Sequence, residues 1–349
     1  MSVSRYISGL PGFVGNPVYN PFETLSYGAY PLYGAPGLET FGGIARGSAG
    51  ANGASAATKT SAAVPVKTEP DGSTLVGLSG GLQFHLFWDS SVSSAPAGFK
   101  SAAIAAAGFY TQMYANSEVI NIHVGWGEVD GIPLGANELS ASVRPGLYQQ
   151  YASVYGALMK DAGYSSFQAQ ADSTLPTTDP LGAQFYYVPY AEAKTLGFLS
   201  SAGTETDGYV GMSSSLPVAF TQPTAAGKYD AIGALEHEIS EVMGRIGAVG
   251  SAYGAGVYTP LDLFRYSAPG VRAASTSAPS PYFSIDGGKT DLGNYSKTAD
   301  YADWVNTVRG DAYGDATLGT TLSVTSNDLI ANAVLGYKFT AAGLAAAQA

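Results

Sequence analysis

Apolar and polar positions begin to alternate near Leu82, where LQFHLFWDS reads as a strand. Residues 96–115 are Ala-rich with apolar side chains at helical spacing; Ser94 is the expected N-cap, and Pro96 suits a first turn. Alternation returns in EVINIHVGWGEV (118–129), a second strand, and residues 144–162 have helical spacing. GAQFYYVPY (182–190) and DGYVGMSSS (207–215) read as further strands, and 230–247 as a helix. Beyond it lie GVYTPLDLFRYSAPG, a hairpin-like YFSIDGGKTDL (282–292), loops with DW and DA pairs, and a last helix from near Ser326. This order predicts an α+β domain over 76–349, with no internal repeat. Residues 1–75 show no period of either kind. They read as a Gly/Tyr/Pro-rich irregular N-terminal arm running into a flexible low-complexity linker, GSAGANGASAATKTSAAVP (47–65).

Composition narrows the classes. The 349 residues include no cysteine, 16 Lys+Arg and 27 Asp+Glu, for a net charge of −11. A disulfide framework and a Cys-ligated zinc or iron–sulfur site are thereby excluded. So acidic a chain is a poor partner for nucleic-acid phosphates. No 18-residue apolar stretch exists to span a membrane. Low charge with 45 Gly and 24 Tyr fits an exported bacterial protein. The N-terminus does not resemble a cleaved signal peptide, and the small, uncharged tail AAGLAAAQA suits secretion through an uncleaved C-terminal signal. The expected location is extracellular.

The chemistry concentrates in ALEHEISEVMGRIGAVG. On a helix at about 100° per residue, Ile232, Leu235, Ile239, Val242 and Ile246 share one side, while His237 and Glu241 lie one turn apart on the other. Two such side chains can grip one cation, and the intervening Glu238 can act as general base toward a water. The alternative is an amphipathic helix with a solvated polar face. No His follows His237 and no Glu follows Glu241, so a third downstream ligand has to be Asp. Asp262 in TPLDLFRY is the nearest; a structural pair with Arg265, or a cap, is its other reading. Asp286 and Asp291 look like hairpin-turn residues. His85 and His123 fall in strands and read as satisfied sheet histidines rather than ligands. Tyr258 and Tyr266 flank Asp262 and could donate to an oxyanion, though packing suits them better. One His with two carboxylates favours Zn²⁺, with another divalent ion such as Mn²⁺ as the alternative.

The blocks EHEISEVMGR, YTPLDLFRYSAPGVR and YFSIDGGKTDL resemble a bacterial family of exported proteins described as metalloproteases, from about Leu82 through the final LGY (335–337). The resemblance implies a zincin-like domain with a mixed twisted sheet and an active-site helix. It also implies that His237 and Glu241 bind the metal and that Glu238 is the base. Asp262, within the PLDLFRY block, is assigned as third ligand by inference. Against the metzincin pattern HExxHxxGxxH, Gly244 stands at the turn glycine, Glu241 replaces the second His, Gly247 takes the third-ligand position, and no Met follows Met243 for a Met-turn.

Two functions follow as expectations. The first is a secreted metal-dependent endopeptidase acting on a peptide or protein substrate, with DGYVGMSSS as the cleft edge pairing with an extended substrate. The second is a catalytically silent zincin-like surface, matrix or filament-forming protein, with homo-oligomerisation through the N-terminal arm.

Overall fold

The computed structural model describes residues 64–161, 164–297, 300–305 and 309–349. The arm over residues 1–63 lies outside the described residues. Residues 64–75, expected to be linker, already belong to the fold: β1 (Val66–Thr68) and β2 (Thr74–Val76) pair antiparallel with each other, and β2 pairs with β3 (Gln83–Trp88). The chain then forms α1 (Phe99–Met113) and β4 (Val119–Trp126), which lies parallel to β3. Ser94 is not the cap of α1. It closes a short 3₁₀ turn, and the helix starts after Gly98, whose φ of 104° only glycine adopts cheaply.

A small hairpin, β5 (Glu128–Val129) and β6 (Ile132–Pro133), precedes β7 (Ser140–Val143) and β8 (Gly146–Gln149). Residues 144–162 are therefore not one helix. GLYQ pairs antiparallel with β9 (Phe185–Pro189), and α2 (Tyr151–Asp161) begins only afterwards, followed by α3 (Ser166–Asp172). A tertiary strand partner has overridden the helical spacing there. Next come α4 (Tyr190–Thr195), β10 (Gly208–Met212), β11 (Val218–Ala219), β12 (Tyr229–Asp230) and α5 (Ala231–Val242). The C-terminal part holds β13 (Val257–Tyr258), β14 (Arg265–Ala268), β15 (Val271–Arg272), β16 (Tyr282–Phe283), β17 (Gly293–Asn294), α6 (Ser326–Ala333) and α7 (Ala341–Ala347). The expected hairpin is present: Phe283 pairs with Gly293 and Tyr282 with Asn294.

The architecture is mixed α+β. The principal sheet runs β1-β2-β3-β4-β10-β7, with β3, β4 and β10 parallel and β7 antiparallel at one edge. This corrects the expected cleft edge. DGYVGMSSS supplies β10, which is hydrogen-bonded on both sides, by β4 and by β7; the edge strand is β7. One face of the sheet, with Phe84, Leu86, Ile120, Ile122, Val124 and Val210, shares a continuous core with α1 and α5. The other face carries a ring ladder, in which His123 stacks on Phe87 at 5.2 Å and lies 5.4 Å from Tyr209. No helix among the described residues is long and apolar enough to cross a membrane.

Candidate metal centre

Helix α5 starts at an Asp230 N-cap, whose Oδ1 accepts from the amides of Ile232 and Gly233. It stops at Gly244, where φ is +114° and a Cβ would meet Glu192 Oε2 at 2.7 Å. The turn-glycine position therefore has a physical reason to be glycine. The apolar stripe faces the core as expected, but the opposite face is not solvated. His237 is 2% exposed and Glu238 and Glu241 are 0% exposed. The sheet edge at β7, Asp303 and Ala312 meet that face of the helix, and their polar groups converge on His237 and Glu241.

His237 Nδ1 donates to the carbonyl of Ala312 at 2.8 Å, which leaves Nε2 aimed into the cluster. Nε2 lies 3.3 Å from Glu241 Oε1 and 3.1 Å from Asp303 Oδ1, without a well-aligned hydrogen bond to either. His237, Glu241 and Asp303 each offer a ligand atom within 4.8 Å of the others, the one such group among the described residues. Glu241 Oε2 is occupied separately. It accepts from Arg144 Nη1 at 2.6 Å and from Ser142 Oγ at 2.6 Å, both on or beside β7. Arg245 closes the other side, with Nη1 3.0 Å from Asp303 Oδ1, Nη2 3.5 Å from Glu241 Oε1, Nε donating to Ser240 Oγ, and the guanidinium over the Tyr313 ring.

The charges are strongly coupled. Burial would raise the Glu241 carboxyl, but Arg144 and His237 outweigh it and hold it well below the usual carboxylate range. Burial would lower His237, and the Asp303 carboxylate reverses that and raises it well above 6.5. Asp300 is pushed up to about 7 by burial beside Glu241 and Asp303.

Asp262 is not brought to this cluster. Its Oδ2 accepts from the amides of Thr259, Ala248 and Val249 at 2.9, 3.0 and 3.2 Å. It forms the capping box of the 3₁₀ turn Pro260–Phe264 and ties that turn to the segment leaving α5. The structural reading of Asp262 therefore describes it, and Asp303 stands where Asp262 was expected. Asp286 accepts from Lys289 and Thr290 amides and Asp291 from Asn294, as turn residues do. Tyr258 donates to Ala274 O and Tyr266 to Thr174 Oγ1. His123 bonds Asp89 at 2.9 Å and His85 meets Ser73 Oγ at 2.7 Å on the ring-ladder face. Arg144, Asp303 and Ala312 were not singled out from the sequence. The DW pair of DYADW was visible, but it lies 62 residues beyond Glu241 and nothing local marks it as a ligand.

His237, Glu241 and Asp303 could hold a divalent ion. Metal–ligand bonds of about 2.0–2.1 Å in tetrahedral array place ligand atoms about 3.3 Å apart, close to the 3.1 and 3.3 Å spacings around Nε2. A backed Nδ1–H and hydrogen-bonded carboxylates are the usual outer partners of such ligands. Compared with protein families, curated proteins and solved structures, the chain matches none.

Proposed function

We propose that the chain is a secreted metal-dependent endopeptidase of zincin-like design, with Zn²⁺ or another divalent ion on His237 Nε2, Glu241 and Asp303. The observation that carries this reading is the convergence of two carboxylate oxygens on an imidazole nitrogen whose other nitrogen is pinned to Ala312 O. When bound there, a divalent ion would supply Lewis acidity toward a peptide carbonyl and lower the pKa of a water. Glu238, adjacent to His237 on the same helix, would be the base that takes the water's proton and returns it to the leaving amine. Ser142 and Arg144 keep Glu241 Oε2 engaged, so that Oε1 is the oxygen presented to His237. The β7 strand at the sheet's edge is itself buried, and the space beside His237, bounded by Leu139, Ser140, Ala234, Ala312 and Leu322, is about 10 Å³, room for about one water, so on this reading a peptide gains access only when the surrounding segments part.

The test is elemental analysis of the purified full chain and of Asp303→Asn, with peptide cleavage by wild type and Glu238→Gln. The reading expects one metal per chain, lost in Asp303→Asn, and cleavage abolished in Glu238→Gln with metal retained.

One observation favours the second reading, a catalytically silent structural protein. Arg144 and Arg245 already match the two carboxylate charges inside the cluster. A metal-free chain whose assembly and stability depend on this ion network is the outcome that reading expects.

A further inference from the structure

Two parts of the candidate centre come from one loop, and α6 holds that loop. Asp303 supplies a carboxylate, and further along Ala312 supplies the carbonyl that orients His237. The two stretches are joined, because Trp304 N donates to Tyr313 O at 2.9 Å and Trp304 bridges to Gly314. Helix α6 opens with a capping box of Thr325 and Asp328. Asp328 Oδ1 accepts from Trp304 Nε1 at 2.6 Å. One turn later, Asn332 Nδ2 donates to the Tyr313 hydroxyl at 2.8 Å. The i and i+4 side chains of one helix face thus hold the residues that follow Asp303 and Ala312. Both side chains are buried. Thr325 Oγ1 adds a bond to Asp311 Oδ2 at 3.3 Å, and the Tyr313 ring lies under Arg245, itself 3.0 Å from Asp303 Oδ1.

We propose that Asp328 and Asn332 are positioning residues for the metal centre. Neither touches a ligand atom. Together they fix the Asp303 carboxylate and the Ala312 carbonyl relative to α5, and so the aim of His237 Nε2. This inference rests on the metal reading above. Groups bonded directly to metal ligands change metal affinity by about 10–100-fold, and for groups one step further out the lower end, about tenfold, is expected. A purely structural role would lower the unfolding temperature and leave the centre's own properties unmoved.

The experiment uses the full chain with Trp304→Phe, which removes the donor to Asp328 while leaving the α6 cap intact, and Asn332→Leu, which is nearly isosteric. Tyr258→Phe is the control, because it deletes a part-buried hydroxyl bonded to Ala274 O, which is no part of the cluster. Zn²⁺ affinity is measured against a competing chelator. Exchange of the His237 ring Nδ1 proton is followed by NMR in the metal-free chain. The expected result is about tenfold weaker Zn²⁺ binding and about tenfold faster ring-proton exchange in both loop variants, with the control within about twofold of wild type. Affinity and exchange within about twofold of wild type in Trp304→Phe overturn the inference, even if Asn332→Leu does not fold. A wild type that binds no Zn²⁺ defeats the metal reading instead, and the exchange measurement then decides the positioning role alone.

Discussion

Replacing Arg144 by Met removes the guanidinium 2.6 Å from Glu241 Oε2 while keeping much of the aliphatic stem. The two side chains are 1% and 0% exposed, so water cannot take over the lost interaction. Removing one partner of a buried ion pair costs about 3–5 kcal/mol. Ser142 Oγ at 2.6 Å and Arg245 at 3.5 Å stay with the carboxylate, which places the expected loss at the lower end, about 3 kcal/mol. At about 2–4 °C per kcal/mol for a domain of this size, the unfolding temperature drops by about 6–12 °C. The pH dependence has a definite sign. In the wild type Glu241 is held below its unfolded pKa of about 4.3, so it contributes stability above that pH and loses it as the pH falls. Without Arg144, burial lets the carboxyl take up a proton at higher pH, and the variant's deficit shrinks toward pH 4. Differential scanning fluorimetry in chelator from pH 4 to 8 reads both effects, and adding Glu241→Gln to the variant should restore most of the loss at pH 7. A deficit under about 2 °C at pH 7, or one independent of pH, refutes the argument.

Other expectations are more local. Asp262→Ala strands three buried amides and lowers stability by about 3 kcal/mol in denaturant titration, yet leaves metal stoichiometry as in wild type. Asp303→Asn also destabilises, because it leaves the buried Arg245 guanidinium without that carboxylate charge, but it alone of the two removes the metal. Gly244→Ala places a Cβ at positive φ against Glu192 and destabilises by at least about 1–2 kcal/mol, measured by the same titration. His123 is raised above 6.5 chiefly by its bond to Asp89, so its NMR titration midpoint falls toward 6.5 in Asp89→Asn. A raised His pKa stabilises the fold fully below the unfolded value and loses that contribution as pH rises through the folded one, so Asp89→Asn should flatten the decline in unfolding temperature above about pH 6.5.

The C-terminal end of the α5 helix was not legible: the helix stops at Val242, ahead of Gly244, rather than running to 247. Its existence was legible because its 3.6-residue apolar stripe is local. The strand at Gln83–Trp88 and the hairpin around Asp286 were legible for the same reason. The β8 strand was not, because GLYQ becomes extended only through β9, a partner some forty residues away. The polar face of α5 was read alternatively as solvated because nothing in its own spacing announces Arg144 or Asp303. Proximity in the chain pointed to Asp262, but a Thr-x-x-Asp capping box makes equal use of that carboxylate and needs only its immediate neighbours. Asp303 gains its place from Trp304 and Tyr313 through α6, relations that exist only in three dimensions.

The cluster draws on three stretches of chain: β7 near residue 142, α5 near 240 and the loop ending at Ala312. The cluster is complete only when all three are in place. A chain still being made therefore has His237 and Glu241 before it has the second carboxylate or the backing carbonyl. Because its parts lie far apart in sequence, the cluster is built from non-local contacts, and these form only after the entropy of closing long loops has been met.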